Sequence, residues 1–184
     1  MATTSIDTGA FAAGVARVRS GERDAAEVAR DLVWRLTPEE RLGLLDGDQD
    51  FWAGILDMGR HGYNHAPIVA GAVPRLGIPG IRFTDGPRGV VMGRSTCFPV
   101  AMARGATWDP ALEEEIGRAI GAEGRAQGAN LFAGVCINLL RHPAWGRAQE
   151  TYGEDPVLLG RMGAALTRGV RGHLMACVKH FALN

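Results

Sequence analysis

Lysine is almost absent. The 184 residues contain one, Lys179, beside nineteen arginines. The 20 basic residues are matched by 20 acidic ones, so the net charge is zero with histidine neutral. That balance excludes the basic surplus or stripe on which nucleic-acid binding depends, and leaves neither a polybasic membrane patch nor an acidic tail. Cysteine is scarce too: Cys97, Cys136 and Cys177 cannot all pair with one another. Cys136 and Cys177 stand in apolar runs, GVCINLL and MACVKHF, which suit small buried thiols rather than a disulfide framework. No CxxC pair or Cys/His cluster has metal-ligand spacing, so no metal site is expected. No stretch approaches the eighteen or so unbroken apolar residues of a membrane span. The N-terminus lacks a basic segment followed by an apolar one, and a cytoplasmic location is the expectation.

What the chain has in plenty is glycine, 26 residues, within an otherwise globular composition of 46% hydrophobic and 22% charged residues. Residues 1–35 are weakly patterned at first, then helical in period through Val28, Leu32, Val33 and Leu36. Thr37-Pro38-Glu39-Glu40 predicts a helix start: Thr as N-cap, Pro at the first position and Glu able to close a capping box. Leu42, Leu44 and Leu45 are its expected apolar side. Residues 46–77 are expected to be a long, Gly-rich loop carrying Phe51, Trp52, His61, Tyr63 and His65; loops of that length are commonly functional.

From Gly80 a strand–helix rhythm sets in. Gly80 to Asp85 predicts a strand stopped by Gly86-Pro87. Asp109-Pro110 opens a helix striped by Leu112, Ile116 and Ile120, and Asp155-Pro156 opens another striped by Leu158, Met162, Leu166 and Val170. Asn130 to Asn138 and Leu174 to Phe181 are continuous apolar runs, as expected of buried parallel strands. The order βαβαβ implies parallel strands with helical crossovers. A (β/α) barrel fits it, and so does a doubly wound nucleotide-binding sheet. The second is weakened because no GxGxxG or GxxxxGK[ST] follows any strand.

Each predicted strand ends in polar residues. Asp85 stands in a Thr-Asp-Gly-Pro-Arg-Gly turn, where a carboxylate could accept two sugar hydroxyls or simply shape the turn. Arg141 to Glu150 holds two arginines, Trp145 and a carboxylate, either an ion-paired loop or a polar binding wall. Lys179-His180 ends the last apolar strand, and unpaired charge there would be costly unless it faced a cleft or a partner. Glu39, Glu40, Asp109 and Glu113 to Glu115 are read as helix N-terminal charges complementing the dipole.

Taken together, LTPEER, VPRLGIPGIRFTDGPRGV, STCFPVAMARGATWDP, INLLRHPAWGRAQETYGEDP and VKHFALN resemble, in order and spacing, the N-terminal domain of glycoside hydrolase family 3, of the bacterial β-glucosidase type. The resemblance implies an α/β fold, the first three or so βα units of a TIM-like (β/α)8 barrel, incomplete. Residues 1–35 would be a partly helical lead-in, and residues 36–184 the N-terminal part of the barrel domain, truncated after its third strand. By motif, it implies that Asp85, Arg147, Lys179 and His180 bind the sugar of the −1 subsite, with Asn138, Trp145, Arg141 and Arg88 beside them.

The implied activity of the complete enzyme is hydrolysis of O-glycosyl bonds, releasing terminal β-D-glucosyl residues by a retaining mechanism. A small sugar or glycoside would be the partner, with no nucleic acid, membrane, cofactor or metal. β-Xylosidase or arabinosidase specificity, and a non-catalytic carbohydrate-binding remnant of the fold, are the alternatives. The KHFALN ending departs from the KHFPGHG of N-acetylhexosaminidases. No Ser-Asp-Trp-like nucleophile motif occurs, and no acid/base is identified, so the chain alone is expected to be inactive.

Overall fold

The computed structural model describes residues 5–182 and residue 184. They fall into two compact units, one formed by the chain up to Leu56 and Val69–Ile81, the other by Asp57–Ile68 and Arg82–Asn184. The elements in chain order are α1 (Ala10–Arg19), α2 (Ala25–Arg35), α3 (Pro38–Gly43), α4 (Phe51–His61), β1 (Ile68–Val73), β2 (Ile78–Thr84), α5 (Ala101–Gly105), α6 (Pro110–Ala126), β3 (Leu131–Cys136), α7 (Pro156–Arg171) and β4 (Met175–Lys179). Two of them, α4 and β1, lie within the 46–77 stretch expected to be loop. Its run of Gly and polar residues hides an apolar helix face and a short strand. No helix among the described residues is long and apolar enough to cross a membrane.

In the first unit, Leu36, Val73 and Leu76 form a small core, with Ala10 and Ile78 packed on it. Asp24 caps α2 by accepting hydrogen bonds from the Ala26 and Glu27 amides. Thr37 and Glu40 close the expected capping box: the Glu40 amide donates to Thr37 Oγ1 at 3.2 Å and the Thr37 amide to Glu40 Oε2 at 2.9 Å. Glu40 does a second job. Arg75 donates to both its oxygens, at 2.9 and 2.7 Å, and holds the carboxyl down to about 2. The apolar side expected for α3 is not buried: Leu42 and Leu45 are exposed, and of the α2 stripe only Leu36 reaches the core. Asp48 accepts from the Gly71 and Ala72 amides, pinning β1 to the segment before α4.

The second unit holds the βαβαβ run. β2 pairs in parallel with β3, Phe83 opposite Leu131, and β3 with β4, Cys136 opposite Lys179. Asp109 and Asp155 cap α6 and α7 as expected, each followed by proline at the first helical position. The core is Val90, Met92, Ile120, Ala129, Phe132, Val135, Leu166, Val170 and Leu174. Met162 belongs to a second cluster with Ala101, Tyr152 and Leu159. Leu112, expected in the α6 stripe, is exposed instead.

Glycine explains how the two crossover helices fit together. A Cβ on Gly117 of α6 would stand 2.6 Å from the Leu166 carbonyl oxygen of α7, and one on Gly169 would collide with the Glu114 carbonyl. The helix backbones therefore touch where larger residues would hold them apart. Part of the glycine excess thus serves close packing.

Glu113 stands in the first turn of α6, as expected, and it does more than complement the dipole: it lies 1% exposed and is paired with Arg104, itself 3% exposed. Arg104 Nε donates to both Glu113 oxygens, at 3.2 and 2.9 Å, and the Tyr152 hydroxyl donates to Oε1 at 2.6 Å. Arg104 Nη1 also donates to the carbonyls of Pro99 and Pro87, the latter in the turn after β2. Removing one partner of such a pair strands a buried charge. Arg104→Met should cost about 3–5 kcal/mol in urea unfolding, and Arg104→Met with Glu113→Leu and Tyr152→Phe should recover much of it. A loss under about 1 kcal/mol for the single change would show that solvent screens the pair.

Candidate functional site

Parallel pairing brings the C-terminal ends of β2, β3 and β4 to one edge, and the polar residues identified after each strand gather there. Asp85 follows the last residue of β2. Backbone and side chain are both fixed: the Asp85 amide donates to Asn64 Oδ1 at 2.7 Å, and the Gly86 amide donates to Asp85 Oδ1 at 2.9 Å. Gly86 has φ +126°, and a Cβ there would collide with the Gly89 carbonyl, so the turn that presents Asp85 needs glycine.

Lys179, the last residue of β4, reaches across β3. Its Nζ donates to Asp85 Oδ1 at 2.8 Å, in a pair whose side chains are 15% and 23% exposed. Asp85 Oδ2 accepts from the Tyr63 hydroxyl at 3.0 Å. Burial alone would raise the Asp85 carboxyl. The hydrogen bonds from Lys179 and the Gly86 amide outweigh it, and the carboxyl lies below its ordinary value. Burial and the Asp85 charge together push Tyr63 up to about 12, so it remains a phenol and a donor.

His180 lies one residue past β4, where strand alternation no longer dictates its direction. Asn138, two residues past β3, takes hold of it: Asn138 Oδ1 accepts from the His180 amide at 2.9 Å and lies 2.9 Å from His180 Nδ1. Asn138 is in turn tied through its carbonyl to the buried Thr151 hydroxyl. Asn184 Nδ2 lies 2.9 Å from the same Nδ1, so this nitrogen is engaged by two protein groups and Nε2 is the ring nitrogen left to face a ligand. Burial lowers the pKa of His180, and the charges of Arg147 and Lys179 lower it further, so the ring is neutral at pH 7.

Arg147 forms a two-pronged pair with Glu150, Nε to Oε1 at 2.7 Å and Nη2 to Oε2 at 2.5 Å. Its charge also favours ionisation of Tyr63 and Cys136, which places it in the same electrostatic neighbourhood as Asp85 and Lys179. Cys136, at the end of β3, is buried and pushed up to about 12 by that burial. It is a thiol, not a nucleophile. A concavity of about 330 Å³, at the small end of ligand pockets, is lined by Asn138, Arg141, Lys179 and His180 among others. Arg88 is exposed, its Nε 3.5 Å from the Phe98 carbonyl.

The structure therefore brings Asp85, Lys179 and His180 to the same strand ends, with Arg147 near enough to interact electrostatically with Asp85 and His180. Sequence reasoning met Tyr63 only as one aromatic of a long loop and Glu150 only as the carboxylate of a polar wall, and it did not single out Asn64. Tyr63 and Asn64 sit in the supposed loop, and only the fold returns that segment to the end of β2.

The pattern of matches to known proteins agrees with this geometry. Residues 64–184 match the family model described as the glycosyl hydrolase family 3 N terminal domain. The chain belongs to glycosyl hydrolase family 3. A curated β-glucosidase from Rhizobium radiobacter is 37% identical over 162 residues, which is 84% of this chain and 18% of that protein. A probable β-glucosidase I of Emericella nidulans is 42% identical over 120 residues, 61% of this chain and 14% of its own length. Among solved structures, β-glucosidase 3B from Thermotoga neapolitana in complex with α-D-glucose superposes with a TM-score of 0.72 at 32% identity, covering 83% of this chain and 22% of that one. The chain thus spans about a fifth of the length of such relatives. The family's N-terminal domain is a TIM barrel, and the βαβαβ run described above is of that α/β kind.

Lys179 is the main source of charge acting on Asp85. Lys179→Met should therefore raise the Asp85 carboxyl, since burial would then act with less opposition. Carbon-detected NMR of the aspartate side chains across a pH titration reads this directly. An unmoved Asp85 midpoint would mean that Lys179 is solvated away from it.

Proposed function

We propose that this chain carries the sugar-gripping part of a β-glucosidase-type active site, acting on terminal β-D-glucosyl residues. The observation that carries the reading is the Asp85 carboxylate, held at the strand ends between Lys179 Nζ at 2.8 Å and the Tyr63 hydroxyl at 3.0 Å. An ionised carboxylate offers about four lone-pair sites, so Asp85 can keep both partners and still accept hydroxyl hydrogens. Lys179 has two N–H bonds beyond the one given to Asp85. His180 offers its Nε2, and Arg147 offers Nη1 as donor beside its pair with Glu150. Alternating donors and acceptors of this kind suit the vicinal hydroxyls of a hexose. The glucose complex of the Thermotoga neapolitana enzyme supports a small sugar as ligand.

In retaining hydrolysis a carboxylate attacks the anomeric carbon while a second carboxyl protonates the leaving oxygen and then activates water. Neither role is assigned to a residue of this chain. The four binding residues contribute by holding hydroxyls, and contacts that tighten as the ring flattens toward an oxocarbenium ion lower the barrier as well as the dissociation constant.

Calorimetry of the 184-residue chain with glucose should detect binding in the millimolar range or tighter. Asp85→Asn should weaken it by about 10–100-fold, the value of a hydrogen bond to a charged group. The same chain should release no aglycone from an aryl β-glucoside. No heat at millimolar glucose, or an Asp85→Asn variant that binds as the wild type does, would refute the assignment of the grip. Turnover by the chain alone would refute the division between binding and chemistry.

A further inference from the structure

Away from the strand-end site, three side chains converge that the glycosidase reading does not use. Asp57, His61 and His65 place one ligand atom each within 4.8 Å of one another, the one such group among the described residues. Asp57 Oδ1 lies 2.9 Å from His61 Nδ1, and Asp57 Oδ2 lies 2.8 Å from His65 Nε2. The two imidazole rings stand 4.9 Å apart, centre to centre. We propose that Asp57, His61 and His65 form a binding site for a divalent transition-metal ion of the zinc class, and that the bound ion fixes the turn carrying Tyr63 to Asp85.

The donor set is the first argument. Two imidazoles and one carboxylate suit zinc, and an ion held by three protein ligands keeps a fourth position for water. Zinc–ligand bonds of about 2.0–2.2 Å place ligand atoms roughly 3.3 Å apart in a tetrahedron. The present spacing reaches that by small ring rotations on exposed side chains. Each imidazole would carry its proton on the nitrogen away from the ion, Nε2 in His61 and Nδ1 in His65.

The way the third ligand is delivered is the second argument, and it is independent of the donors. Asp57 and His61 are one turn apart on α4, so any helix could present them together. His65 lies beyond the helix and returns only because the chain reverses through Gly62 at φ +89° and Asn64 at φ +49°. Asn64 is 5% exposed and clamped. Its Nδ2 donates to the Ala66 and Phe83 carbonyls, and its Oδ1 accepts from Thr84 Oγ1 and the Asp85 amide. The turn that sets His65 over Asp57 is thus anchored to the end of β2, and Tyr63 sits between the two. An ion closing on His65 would fix the same four-residue turn from its other side. The spacing Asp-x3-His-x3-His escapes a search for Cys/His clusters because one ligand is a carboxylate and another lies outside the helix.

The untagged 184-residue chain, stripped with a chelator, should bind one equivalent of Zn2+ by calorimetry and should give the visible absorption of four-coordinate Co2+. His65→Gln and Asp57→Asn should each weaken zinc binding at least about tenfold, while Cys97→Ser, which removes an exposed thiol, should not. Both substituted side chains are on the surface, and circular dichroism of each variant checks that the fold is kept. Absence of saturable binding at millimolar zinc, or wild-type affinity in both variants, would overturn the site. Hydrogen exchange of the amides over residues 62–65 should slow several-fold on adding zinc and should not slow in Asp57→Asn. Zinc binding without that slowing would overturn the link to Tyr63. None of these readouts depends on a sugar.

Discussion

The contact between Asp85 and Lys179 is made by residues ninety-four positions apart, and three strands must be in register for it to form. β3 lies between β2 and β4, and both pairings are parallel, so the carboxylate and the ammonium leave the same edge and meet over the end of β3. Reversing either pairing would send one of the two charges to the opposite ends of the strands and separate the pair. Much of the surrounding structure keeps that edge in place. Asn64 holds the Asp85 backbone and the Gly86 amide its carboxylate, Asn138 holds His180, and Thr151 holds Asn138.

Behind the edge stands a second charged group of a different kind. Arg104, Glu113 and Tyr152 are buried together, and Arg104 extends to the Pro87 carbonyl in the turn after Asp85. The buried pair therefore ties α5 and α6 to the loop that presents the site. Buried ion pairs are weak sources of net stability but strong determinants of geometry when every hydrogen bond is satisfied, as here. The glycine contacts between α6 and α7 do comparable work without charge, since they set how closely the crossover helices lie and so where β3 and β4 emerge.

The helices and strands with strong punctuation were legible in the sequence. Asp109-Pro110, Asp155-Pro156 and Thr37-Pro38 announced their helices because caps and N-terminal prolines act locally. α4 and β1 were not legible: glycine-rich surroundings made both read as loop, and α4 lacks the proline that marks those helix starts. Glu113 was read only as a charge at the start of α6, where it does stand, and only packing shows that Arg104 covers it. Leu42 and Leu45 were expected inside and stand in solvent, because helical period reports a face and not what lies against it.

The sequence by itself determined the family, through motifs whose order and spacing survive in a one-dimensional string, and it named Asp85, Arg147, Lys179 and His180 as a set. The set came through the family resemblance, while turn chemistry, caps and apolar runs, being local, placed these residues after or at the ends of strands. Only the tertiary structure decided that Asp85 bonds Lys179 and Tyr63, that Arg147 is held by Glu150, and that Asp57 meets two histidines. Those contacts depend on strand register and on one clamped asparagine turn, and distance along the chain carries no information about either.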